Sequence, residues 1–187
     1  MMTAIGELMI EHRLIERMIH LLAAAKQRMD TAGEVDTAFL DSAVDFIRSY
    51  ADRCHHGKEE DILFRDLGAR PLEEPYKQIL HDLIQEHVYG RQTTKRLEEA
   101  TARYRQGDEA ALGEISAAAG DLVTFYPKHI EKEDRHFFVP VMDCFSKKEL
   151  AEMLERFHEF DRQLFHDRYR GTVSQWEAQQ PAAAGKP

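Results

Sequence analysis

A histidine followed some forty residues later by a His-x-x-x-Glu pair occurs twice along this chain of 187 residues. The first copy is His12, then His55 and Glu59; the second is His87, then His129 and Glu133. His12 and His55 stand 43 residues apart and His87 and His129 stand 42 apart, so one unit repeats at an offset of 74 or 75. Each unit reads as a helical hairpin, with a lone His on its first helix and a His/Glu pair four apart, on one face, on its second. Folded antiparallel, the two hairpins aim four imidazoles and two carboxylates at one place. Burying those groups is costly unless a cation compensates them, and a mixed nitrogen and oxygen donor set suits iron better than magnesium or calcium.

The rest of the chain supports helices throughout. From Thr3 to about Met29 the apolar residues Ile5, Leu8, Met9, Ile15, Ile19 and Leu22 recur at helical spacing. After a break at Gly33, Asp36 is placed to cap a second helix carrying Leu40, Val44, Ile47 and Ala51, which runs out near Gly68 and Pro71. Pro75 suits the first turn of a third helix through Ile79, Leu83, Ile84 and Leu97, which stops at Gly107. Asp108 is expected to cap a fourth, with Leu112, Ile115, Leu122 and Phe125 inside, ending near Pro140. Ser146 and Glu149 form a capping box for a short fifth helix with Leu150, Leu154, Phe157 and Leu164. No segment alternates like a strand. The expectation is an all-α, up-and-down antiparallel four-helix bundle covered by a short fifth C-terminal helix, spanning residues 1–172. Residues 173–187, with little apolar periodicity, are expected to be a flexible tail.

The run CHHGKEED offers two registers, His55 with Glu59 or His56 with Glu60. Upstream of His55 at helical spacing lie Ala51, Ile47 and Val44; upstream of His56 lie Asp52, Ser49 and Asp45. His55 is therefore expected to turn inward and His56 outward. The repeat agrees, since HHGKEEDILF laid on HIEKEDRHFF pairs His55 with His129, Glu59 with Glu133 and Phe64 with Phe138. His12 and His87 also sit on apolar faces. Tyr126, three residues before His129, shares its face and reads first as a core tyrosine whose hydroxyl lies near the site. Glu16 and His136 stand within helical reach of His12 and Glu133 as accessory candidates. Glu-x-x-His spacings at Glu133/His136 and Glu155/His158 raise a ferritin-like carboxylate site, which requires more bridging glutamates than the other helices supply.

Charge and composition narrow the function. Lys and Arg total 25 against 34 Asp and Glu, a formal net charge of -9, with no basic run, so nucleic acid is not an expected partner. The longest apolar stretches are too short to span a membrane, and no signal-peptide core is present. Cys54 and Cys144 form neither a disulfide framework nor a Cys-x-x-Cys pair, so a reducing cytoplasm is expected.

The segments EHRLIERMIHLL, HHGKEEDILF, QEHVYGR and HIEKEDRHFFVP resemble, in order, the four motif helices of the hemerythrin-like (HHE cation-binding) family, over about residues 3–145. The resemblance implies that His12, His55, Glu59, His87, His129 and Glu133 hold two non-haem irons, bridged by Glu59, Glu133 and an oxo or hydroxo group. It implies binding or sensing of a small diatomic ligand, oxygen or nitric oxide. The alternative is a redox enzyme acting on peroxide or nitric oxide with the same centre. Oxygen-carrying relatives have a second His on the third helix, four residues from the first; here Leu83 and Arg91 flank His87 at those places. That departure predicts extra room on one iron and argues against simple oxygen carriage.

Overall fold

The computed structural model describes residues 3–162 and 166–179, the side chains of 166–169 excepted; every regular element among them is a helix. Thr3 caps α1 (Ala4–Ala32) by accepting a hydrogen bond from the Gly6 amide at 3.0 Å. The helix ends where Gly33, at a φ of 67° that suits a residue without a Cβ, donates its amide to the Met29 carbonyl. Asp36 caps α2 (Thr37–Phe46) through the Phe39 amide at 2.9 Å. The same helix then widens into π-helical turns at Ile47–His56 and Glu59–Phe64 before a final α turn, α3 (Arg65–Gly68). Pro75 sits in the first turn of α4 (Glu74–Arg105), where its missing amide leaves no bond unmade.

The next helix, α5 (Ala111–Lys132), starts later than expected. Ala110 is its N-cap without a side-chain bond, and Asp108 instead accepts the Ala111 amide through its backbone carbonyl. This helix continues through a π-helical turn, Glu133–Phe137, into α6 (Phe138–Val141). The capping box forms as expected at the start of α7 (Lys147–Asp161), which buries Met153 and Phe157. Phe160 of α7 lies over Gly57, where an added Cβ would stand 2.7 Å from the ring, so glycine permits the close approach.

A further helix, α8 (His166–Ala178), runs into the start of the segment expected to be a flexible tail, over residues 173–178. Val173 is fully buried and the Trp176 ring meets Phe39 edge-on at 5.0 Å, while Arg17 pairs with Glu177 at 2.8 and 2.5 Å. Two well-placed apolar side chains dock it, although the segment is too polar to show a clear apolar stripe. Leu164 and residues 180–187 lie outside the described residues. No helix among the described residues is long and apolar enough to cross a membrane.

The buried residues form two apolar clusters. One gathers Leu14 to Met29 of α1, Phe39 to Ala51, Leu97 and Ala100 of α4, and Ile115 to Ile130 of α5. The other gathers Ile5 and Leu8, Ile62 to Leu67, Leu83, Phe137 and Phe138, closed by Met153 and Phe157. Successive long helices traverse the two clusters in opposite order, and each passes between them at its His or Glu residues. The polar site is thus a layer held between two dry cores.

Candidate metal centre

His12, His55, Glu59, His87, His129 and Glu133, the six residues the spacing singles out, all converge in that layer, each at most 2% exposed. The Nε2 atoms of His12 and His55 face each other at 2.9 Å. Each carboxylate faces imidazoles from both hairpins. Glu59 lies 3.3 Å from His55 Nε2 and 3.4 Å from His87 Nε2. Glu133 lies 3.2 Å from His12 Nε2, 3.4 Å from His129 Nε2 and 3.9 Å from His87 Nε2. The two carboxylates thus lie central to the four imidazoles.

The polar atoms of this layer test whether cations fit it. Both oxygens of Glu59, both oxygens of Glu133, and Nε2 of His87 and His129 are buried without a hydrogen-bond partner. Each such atom costs about 1–3 kcal/mol, and native cores rarely leave them orphaned. Six orphans meeting in one dry place are accounted for by positive charge between them. The donor atoms fall into two sets, His12, His55, Glu59 and Glu133 in one, and His56, His87 and His129 in the other, with all atoms of a set within 4.8 Å of one another. The residues fit a bound metal.

His56 overturns the sequence expectation. It is 2% exposed, its ring lies parallel to that of His87 at 3.8 Å, and it meets His129 edge-on at 5.6 Å. The cause is the π-helical winding of Ile47–His56. With bonds spanning five residues instead of four, fully buried Ala51 also comes onto the line behind His56, while Asp52 stays within 3.4 Å of its Nδ1. Burial, together with the neighbouring His87, His129 and His55 rings, holds the His56 pKa well below the usual value, so the ring is neutral. His56 thus lies among the His87 and His129 rings, on the side of the layer where Leu83 and Arg91 bring no imidazole. In the sequence, the adjacent histidines and the missing third-helix partner were the available signal.

A second ring of residues was also missed. The Nδ1–H of His12 donates to Asp134 at 2.7 Å, that of His55 to Glu11 at 2.9 Å, that of His87 to Glu60 at 2.6 Å and that of His129 to Glu86 at 2.9 Å. These bonds fix the tautomer and leave each Nε2 lone pair facing the centre. A cation backs each acceptor: Arg13 on Asp134, Lys58 on Glu11 at 2.5 Å, Arg91 on Glu60 at 2.6 Å and Lys132 on Glu86. The pattern obeys the repeat, because Glu11-His12 and Lys58-Glu59-Glu60 recur as Glu86-His87 and Lys132-Glu133-Asp134.

The accessory candidates separate. His136 is exposed, Glu16 pairs with Arg13 at 3.0 Å, and His158 reaches Glu7 at 3.0 Å, so none joins the centre and the ferritin-like spacings do not converge. Tyr126 is buried beside it. A cavity of about 300 Å³, lined by Tyr126, His56, Asp52, Gly90, Arg91 and Thr94, reaches this flank from the surface.

The comparisons agree with this geometry. The chain is 24% identical over 163 residues to uncharacterized proteins of Mycobacterium bovis and of two strains of Mycobacterium tuberculosis, an alignment covering 87% of this chain. The chain spans 63% of the length of those relatives. No solved structure matches it. A family model described as the hemerythrin HHE cation binding domain matches residues 3–141, and the chain belongs to that family of cation-binding proteins.

Proposed function

We propose that the protein binds or senses a small diatomic ligand, oxygen or nitric oxide, at a non-haem di-iron centre held by His12, His55, Glu59, His87, His129 and Glu133. The six buried orphan atoms carry this reading, since a pair of cations satisfies all of them at once. The balance of imidazole and carboxylate donors favours iron. Iron in such a site supplies an open position for a small ligand and a reversible change of oxidation state. The chain's own part is to aim the Nε2 atoms, hold two carboxylates central, and keep bulk water out with apolar layers on both sides. The alternating order of the two clusters along α1, the second helix, α4 and α5 supports an up-and-down four-helix bundle as the scaffold. Cys54 and Cys144, neither of them in a disulfide, suit a reducing cytoplasm.

Metal analysis of protein expressed with ample iron tests this reading. Two irons per chain with an oxo-bridged ferric absorption spectrum are expected; one zinc and no iron would overturn it. A redox enzyme acting on peroxide or nitric oxide is the second reading, favoured by the Tyr126 hydroxyl beside a cavity wider than a diatomic needs. Stopped-flow mixing of reduced protein with oxygen or peroxide separates the two. A persistent spectral change indicates binding, and rapid return with consumption of the reactant indicates turnover.

A further inference from the structure

We propose that His56 is a seventh metal ligand, supplied by the second helix in place of the imidazole that the third helix lacks, and that it gives the two metal positions unequal donor sets. This rests on the di-iron reading above.

Three observations carry it. The first is position: His56, His87 and His129 offer ring nitrogens within 4.8 Å of one another, next to but separate from the set formed by His12, His55, Glu59 and Glu133. The second is support. His56 Nδ1 faces Asp52 at 3.4 Å, and Asp52 is held by Arg91 Nε at 2.7 Å. A carboxylate and a cation thus lie behind His56 as they do behind the other four imidazoles, here from its own helix and at a longer reach than the 2.6–2.9 Å found there. The third is broken symmetry. The repeat pairs His56 with Ile130, a buried residue of the apolar core. The two hairpins match at the other four imidazoles and both carboxylates, yet at this place one carries a buried imidazole and the other a hydrocarbon.

Arg91 explains how the exchange came to be accommodated. It stands four residues after His87, on the same helix face, where an imidazole of α4 would otherwise approach the centre. Its guanidinium instead bridges Asp52 and Glu60, behind His56 and His87 together. One residue of α4 thus orients two rings, and the imidazole itself comes from the π-helical turn opposite.

The test uses His56→Ile, which copies the apolar residue at the symmetry-related position and preserves a packed core. Iron per chain is expected to fall from two to one, with unchanged thermal melting of the metal-free form. Two irons per chain in His56→Ile with the wild-type spectrum would overturn the proposal and leave the di-iron reading intact. Wild-type protein without two irons would instead remove that reading itself. A crystal structure of the iron-loaded wild type decides independently of how any variant folds. A His56 nitrogen bonded to iron is expected, and a ring stacked on His87 but bonded to no metal overturns the assignment.

Discussion

At the scale of single residues, the outer carboxylates and their cations are the parts most open to measurement. Glu86 holds the His129 ring and is itself held by Lys132, while remaining partly exposed. Glu86→Gln removes the charge and keeps the shape, so the protein should fold while iron affinity falls about 10–100-fold, read by competition with a chelator. Lys58 is a different case. Its ammonium is fully buried and serves Glu11 at 2.5 Å, Asp161 at 2.9 Å and Glu7 at 3.4 Å. Burial opposes its charge, but Glu11 and Asp161 outweigh burial and raise its pKa. Lys58→Ala removes the cation that these carboxylates share, and urea unfolding of the metal-free protein should show a loss of about 3–5 kcal/mol. A loss below about 1 kcal/mol would mean that water reaches the cluster.

Among elements, the second helix and α7 are joined through one close contact. Gly57 interrupts the ligand run where Phe160 crosses it, with only 2.7 Å available for a Cβ. Gly57→Ala should therefore cost about 1–3 kcal/mol by overpacking, and much less in a Phe160→Ala background. A double-mutant cycle measures this; equal costs in both backgrounds would show that the contact is not what selects glycine. Much of the element level was legible beforehand. Thr3, Asp36, Pro75 and Ser146 mark helix starts by local chemistry, and three of them accept the cap bonds their sequence positions suggest. Asp108 carries the same signal without serving as the cap, because Gly107, at a φ of 96°, turns the chain before α5 begins.

For the whole molecule, stability and metal content are linked through protons. Burial pulls the His55 and His87 values down, but the adjacent carboxylates outweigh it and hold them at about 10 and about 9 in the metal-free protein. Both lie above the ~6.5 of a free imidazole, so the stability these pairs contribute is complete below about pH 6.5. It is lost as the pH rises through about 9 to 10. A bound metal requires the unprotonated rings, so metal affinity should rise across the same interval. Calorimetry in buffers of different ionisation enthalpy should find protons released on metal binding at pH 7 and few near pH 10. Release that does not change with pH would show that the rings are already neutral. Removing the metal should also lower the melting temperature, most visibly at high pH, where neither metal nor proton balances Glu59 and Glu133.

The sequence by itself determined the helical class, the hairpin repeat and the six residues that meet at its centre. An α-helix has one fixed period, so apolar spacing and His-x-x-x-Glu spacing report the same face, and a repeat places equivalent faces together. Only the tertiary structure decided that His56 turns inward, because π-helical winding arises where packing favours a wider turn and leaves no periodic mark in the residues. The carboxylates behind the imidazoles were likewise settled in three dimensions, since His12 and Asp134 or His55 and Glu11 meet across helices far apart in the chain. The docking of α8 through Val173 and Trp176 belongs with them, because two apolar side chains show no stripe until the surface that receives them has formed.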